Sequence, residues 1–218
     1  NGAAWLPLGD GLLGTGYALA VDGAQLFVGG SFSQVGGNPA NAIACWDMGT
    51  GTWSPLGSGV DGTVKALAIS GRDLYVAGDF TTAGGVTVNH IARWNRDTHT
   101  WHALGSGLDA KAYALAVNGS QVFVGGNFSS AGGVTAWYVA RWSSDTLSWS
   151  SLGSGVDGTV FALKVRVVQQ GLLRYLQVYV GGSFTHAGSG SAPNVAVWHT
   201  LSSPGPPWVL ACPGLCSV

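Results

Sequence analysis

The chain has 218 residues, a formal net charge of −1, only 9% charged residues and 36 glycines. Its ten acidic residues are all Asp, and its Lys and Arg form no cluster of the kind that phosphate backbones require, which argues against nucleic acid as a partner. No apolar stretch approaches the length of a membrane span, helix-surface residues are scarce and turn formers abound, so the composition is that of an all-β domain with an extracellular or assembled surface.

From its first residues the chain is built on a repeat. The pairs Leu8-Gly9, Leu56-Gly57, Leu104-Gly105 and Leu152-Gly153 recur at a step of about 48 residues, and Trp5, Trp53, Trp101 and Trp149 keep the same step. Such self-similarity implies an array of supersecondary units, each needing a neighbour to bury its apolar face. Residues 3–8, A-A-W-L-P-L, match the segment that closes each later repeat. The chain therefore reads as a mature or trimmed segment whose opening strand is placed to complete the fourth unit and remove two exposed sheet edges.

The first repeat runs through A-L-A-V (Ala18 to Val21), the turn Asp22-Gly23, Q-L-F-V-G-G (Gln25 to Gly30), A-I-A-C-W (Ala42 to Trp46) and T-W-S-P-L (Thr52 to Leu56). The second and third repeats restate that order with turns at Ser70-Gly71 and Asn118-Gly119, and Asn-Gly between two apolar runs marks a tight hairpin, because both turn positions need positive φ. Four short strands between turn signals make a propeller blade, and Ala alternating with Leu suits the first strand to an inner position. The fourth repeat carries eleven residues between its first two strands where the third has three, which predicts a longer hairpin turning near Gln169-Gln170-Gly171, either a docking element or a solvated elaboration. Beyond Trp198, L-S-S-P-G-P-P-W-V-L-A excludes a regular central strand and leaves Trp208 to Ala211 as an edge strand. The predicted architecture is an all-β β-propeller of four blades over residues 1–200, followed by a Pro-rich segment over 201–218.

At W-N-R-D-T-H-T-W, Trp94 and Trp101 stand seven apart after a strand ending in Ala77-Gly78. This resembles the kelch repeat, and Gly29-Gly30 with Trp46 and Trp53 and Gly125-Gly126 with Trp142 and Trp149 fit it. The fourth repeat has Gly181-Gly182 and Trp198 but no Trp seven residues later, which leaves the closing strand of that blade open. The phrase L-G-S-G-V-D-G-T-V-x-A-L-A, followed by L-Y-V-A-G-D-F-T-T-A-G-G-V, resembles the kelch-like repeats of the fungal cortical marker family and of uncharacterised bacterial surface proteins. The resemblance spans Trp5 to Trp198 and implies a propeller at a cell surface or outside the cell. It implies no reaction.

Asp61, Asp109 and Asp157 occupy equivalent places in the G-S-G-V/L-D loops, where they are candidates for holding a cation or a sugar hydroxyl. The competing reading is that each Asp-Gly, or Asp-Ala, simply makes a turn. The long loops after the glycine pairs are the second candidate surface, with Trp137 and Tyr138 as a sugar-stacking patch. Asn118 and Asn127 begin glycosylation sequons, and Cys212 and Cys216 in C-P-G-L-C are placed either for a small disulfide loop or as free thiols. The five histidines fall at non-equivalent repeat positions, and no residue set matches the copper ligands of kelch-fold oxidases, so neither a metal nor another cofactor is expected. These features predict a non-enzymatic extracellular structural or interaction module, whose partners are its own copies or other surface proteins. A carbohydrate-binding propeller is the alternative, and a metal oxidase the second alternative.

Overall fold

A computed structural model describes residues 3–170, 173–200 and 208–209. The described residues form strands and turns with no helix. The chain divides into two compact units, Asn1–Ala103 and Leu104–Val218. Each is built on two large antiparallel sheets with smaller two-stranded ones beside them, and in every large sheet the first of its four main strands is one edge and the last is the other.

In the first unit, one sheet is ordered Leu12–Asp22, Gln25–Val35, Ile43–Asp47 and Thr52–Pro55, with the short Asn38–Pro39 strand paired to the second. The other is ordered Thr63–Ser70, Asp73–Asp79, Ile91–Asn95 and Thr100–Ala103. The core between them contains Phe27, Ile43, Val64, Leu74, Val76 and Trp101. Gly29 is required here. A Cβ on it would lie 2.3 Å from the Val64 Cγ1, so the glycine forms the notch that the valine fills.

The second unit repeats the plan with Ala112–Asn118, Gln121–Gly126, Val139–Ser143 and Ser148–Ser151, then Thr159–Gln170, Leu173–Ser183, Val195–His199 and Trp208–Val209. Its core holds Phe123, Val139, Val160, Val178 and Val180, and Val160 fills the notch at Gly125 at the same 2.3 Å. The lengthened hairpin forms as predicted, with pairing that continues out to Gln170 opposite Leu173. Gly171, at its predicted tip, and Leu172 lie outside the described residues, as do Cys212 and Cys216.

The repeat period has a specific cause. The indole N–H of Trp101 donates to the carbonyl of Leu56 at 3.1 Å, that of Trp149 to Leu104 at 2.8 Å and that of Trp53 to Leu8 at 2.9 Å. The glycine after each leucine has positive φ, and its Cα faces the Trp46, Trp94 or Trp142 ring, where a Cβ would stand 3.3 to 3.5 Å away. Those rings pair across the strands with Trp53, Trp101 and Trp149 at centroid distances of 5.1, 5.1 and 5.4 Å. The Leu-Gly pair and the two tryptophans are thus one packing unit, which ties each outer strand to the segment that enters its sheet.

Two details differ from the sequence reading. Residues 3–7 form no strand and Trp5 is fully exposed, whereas the outermost strand of the fourth sheet is Trp208–Val209, paired with Val195–His199. In that register Trp208 stands opposite Trp198, so the tryptophan missing at the seventh position is replaced ten residues on, after the prolines. The first sheet also begins earlier than predicted, at Leu12. Leu13 stands where later repeats have Asp61, Asp109 and Asp157, and without that carboxylate the segment continues as strand against Phe32 to Val35 instead of being interrupted by a turn.

Candidate functional site

The aspartates identified from the sequence hold the loops. Asp61 Oδ1 accepts the backbone N–H groups of Thr81 and Thr82, both at 2.8 Å, and Oδ2 accepts the Thr81 hydroxyl at 2.7 Å. Asp109 takes Ser129 N, Ser130 N and the Ser129 hydroxyl at 2.9, 3.0 and 2.6 Å. Asp157 takes Thr185 N, His186 N and the Thr185 hydroxyl at 2.7, 2.8 and 2.6 Å, and the His186 Nδ1 at 3.0 Å. Each carboxylate fastens its loop to the start of a two-stranded turn, beside the bridges Val60–Ala83, Leu108–Ala131 and Val156–Ala187.

The electrostatics follow from those donors. Partial desolvation pushes the Asp61 and Asp109 carboxyls up, but the backbone and hydroxyl donors outweigh it and hold both below the usual carboxylate value. Asp157 is also held below the usual carboxylate value, by the Thr185 hydroxyl first and the His186 N–H next. The principal lone pairs of all three groups are engaged within the protein, so they serve the turn reading directly. Beside the first clamp, a groove of 620 Å³ opens over Ser31, Asn41, Val60, Asp61 and Thr63.

Trp137 and Tyr138 are placed as a surface pair. Trp137 is 48% exposed, the ring centroids are 6.5 Å apart, and Tyr138 has a φ of 64°, which turns the chain sharply between the loop and the strand. Asn127 is exposed, its N–H donating to Lys111 O, while Asn118 is half-buried at its hairpin. Cys45 is half-buried, and desolvation pushes its thiol up to about 11, so it is protonated and a poor nucleophile. Among the described residues no group of three or more His, Cys or acidic side chains is arranged to hold a metal.

One equivalent set was missed in the sequence. Every first strand carries a β-bulge that displaces the residue between Gly16 and Ala18, Val64 and Ala66, Ala112 and Ala114, or Val160 and Ala162. The displaced residues are Tyr17, Lys65, Tyr113 and Phe161, and they meet in pairs within each unit. Lys65 Nζ lies 3.9 Å from the Tyr17 ring centroid, and the Tyr113 and Phe161 rings are 5.6 Å apart. The step of 48 residues connects them, but alternation along a regular strand does not reveal a bulge.

Residues 18–116 match the family model described as the Rax2 C-terminal beta propeller domain. No curated protein matches the chain. Among solved structures, the computationally designed Ika4 protein superposes with a TM-score of 0.57 at 20% identity, over 90% of this chain and 99% of that one. The designed Ika8 protein gives 0.56 at 18% identity over 89% of this chain, and U3-55K gives 0.51 at 16% identity over 84%. The chain spans about half the length of the latter two, covering 48% of each. At these identities the likeness is one of fold. The chain is an all-β propeller, and its residues 18–116 are similar to the Rax2 C-terminal beta propeller domain.

Proposed function

We propose that the chain is a non-enzymatic structural and interaction module, displayed at a cell surface or outside the cell. The observation that carries this reading is the fate of the acids that recur in register. Asp61, Asp109 and Asp157 are each committed to three or more internal donors, so the repeat spends its acids on holding loops and not on a reacting group. The match to a cortical-marker propeller and the very low charge support a surface location and a role in contacts. The test is labelling of intact cells with a membrane-impermeant reagent, using an epitope-tagged chain in the organism that makes it. Labelling without permeabilisation is expected; a tag that stays protected until the cells are opened would overturn the reading.

The exposed Trp137 beside Tyr138 favours a second reading, binding of glycans by aromatic stacking. In that case the wild-type protein binds immobilised polysaccharide and Trp137→Ala does not. Equal retention of both proteins would remove the aromatic pair from consideration.

A further inference from the structure

In the first three repeats the opening hairpin stops pairing at Asp22–Gln25, Ser70–Asp73 and Asn118–Gln121. The fourth pairs on past the equivalent Arg166–Gln177, through Val167–Leu176 and Gln169–Arg174. Arg174 and Leu176 thus stand beyond the level at which the third repeat's hairpin turns. With Thr200 they line a groove of 430 Å³ inside the second unit, whose other residues include Asn118, Gln121 and Arg141. Its charge is unbalanced. In the second repeat Arg93 is neutralised by Asp73 at 3.0 Å. One repeat later Arg141 stands where Arg93 does, but Gln121 replaces Asp73, and the Arg141 Nε donates to the Ser150 hydroxyl at 3.1 Å. Arg174 is exposed and, like Arg141, has no ion pair among the described residues. Asp145, which accepts the Ser120 hydroxyl at 2.5 Å, brings one negative charge to this end of the sheet, so the two guanidinium groups leave an excess of one positive charge.

We propose that this groove binds a small hydroxyl-rich anion, an acidic sugar whose carboxylate supplies to Arg141 and Arg174 the acceptor that Asp73 supplies to Arg93. A guanidinium matches the two oxygens of a carboxylate and holds it more strongly than a neutral donor does. The groove is many times the ~30 Å³ of a water molecule and falls in the size range of small-molecule sites, so the anion is carried on a larger body. The lining describes that body. The Thr200 hydroxyl accepts the Leu176 N–H at 2.8 Å and keeps its own proton to donate, the Asn118 amide can both donate and accept, and Leu176 offers one apolar contact. Ring hydroxyls on an apolar ring face suit such a surface. The groove shares no residue with the Trp137 and Tyr138 pair, and its assignment goes beyond the structural-module reading without depending on it.

The test is calorimetric titration of the full chain with sodium glucuronate, glucose and inorganic phosphate. Glucuronate should saturate a single site, and glucose, which lacks the carboxylate, and phosphate, which lacks the ring, should each bind roughly tenfold more weakly or worse. Arg174 is exposed, so Arg174→Gln should leave thermal unfolding unchanged and weaken glucuronate roughly tenfold. Gln121→Asp should weaken it as much by a different route, because it gives Arg141 the partner that Arg93 already has. Failure of glucuronate to saturate the wild type would overturn the proposal, as would either folded variant binding it like the wild type. Phosphate that binds as tightly as glucuronate would overturn the assignment to a sugar. None of these results touches the surface-module reading, which stands or falls on the labelling of intact cells.

Discussion

Replacing Trp101 tests whether the indole-to-leucine bond sets the repeat. Trp101 is 7% exposed, its ring lies 5.1 Å from that of Trp94, and its N–H reaches the Leu56 carbonyl. Trp101→Ala removes the ring and leaves a cavity, at a cost of about 4 kcal/mol. Trp101→Phe keeps a ring but loses the hydrogen bond, about 1 kcal/mol, and part of the buried apolar surface, about another 1 kcal/mol. The Leu56 carbonyl still receives Gly59 N at 3.0 Å, so no buried acceptor is orphaned and the total should stay near 2 kcal/mol. Equilibrium urea unfolding of the purified domain measures both values. Trp149 has the same environment and should repeat them, while the half-exposed Trp53 should lose less. If the phenylalanine variant costs as much as the alanine variant, or if neither exceeds about 0.5 kcal/mol, the packing unit does not hold the sheets together.

Other consequences are equally open to measurement. Gly84 has a φ of +58° and a Cβ there would lie 2.3 Å from Trp101 Cδ1, whereas Gly85 has a φ of +83° and open space. Gly84→Ala should therefore cost about 3 kcal/mol and Gly85→Ala about 1 kcal/mol in the same unfolding assay. Because the folded-state values of Asp61 and Asp109 are depressed, the unfolded chain takes up protons first as pH falls. Their stabilisation is present above the ordinary carboxylate value and is lost through and below about pH 4, so thermal unfolding should show a smaller acid-induced loss in the Asp61→Asn/Asp109→Asn double variant than in the wild type. In a secreting eukaryotic host, glycan should be found at the exposed Asn127 in preference to the half-buried Asn118, as read by the mass shift on enzymatic deglycosylation and by Asn127→Gln.

Much of the architecture was legible because the repeat states it several times. The Leu-Gly pairs, the Trp spacing and Gly119 located the hairpins and the order of strands, since each residue type is fixed by a local need: a positive φ, an indole donor or a buried ring. The turn itself is Gly119-Ser120, one residue later than the predicted Asn118-Gly119, because Asn118 still pairs with Gln121 and only Gly119 takes a positive φ. The closing strand of the fourth sheet was less legible. Trp208 reaches its place opposite Trp198 after a proline-rich segment that shifts the spacing from seven residues to ten. The opening segment misled for a related reason, because Ala3 to Leu8 carries the right residues yet forms no strand, and only Leu8 keeps its part as the acceptor for Trp53.

The candidate site was legible in position more than in role. A repeated Asp in a Gly-rich loop suits a ligand as well as a turn, and the choice depends on donors twenty or more residues away, such as Thr81 and Ser129. The bulged residues Tyr17, Lys65, Tyr113 and Phe161 were hidden because alternation assigns every strand residue to one face or the other, and a bulge breaks that count.

The most direct measurement is negative-stain electron microscopy of the purified native protein. A structural module whose partners are its own copies predicts assemblies of several chains. Dispersed single chains at all concentrations would contradict that account and turn attention to ligands at the loops around Trp137.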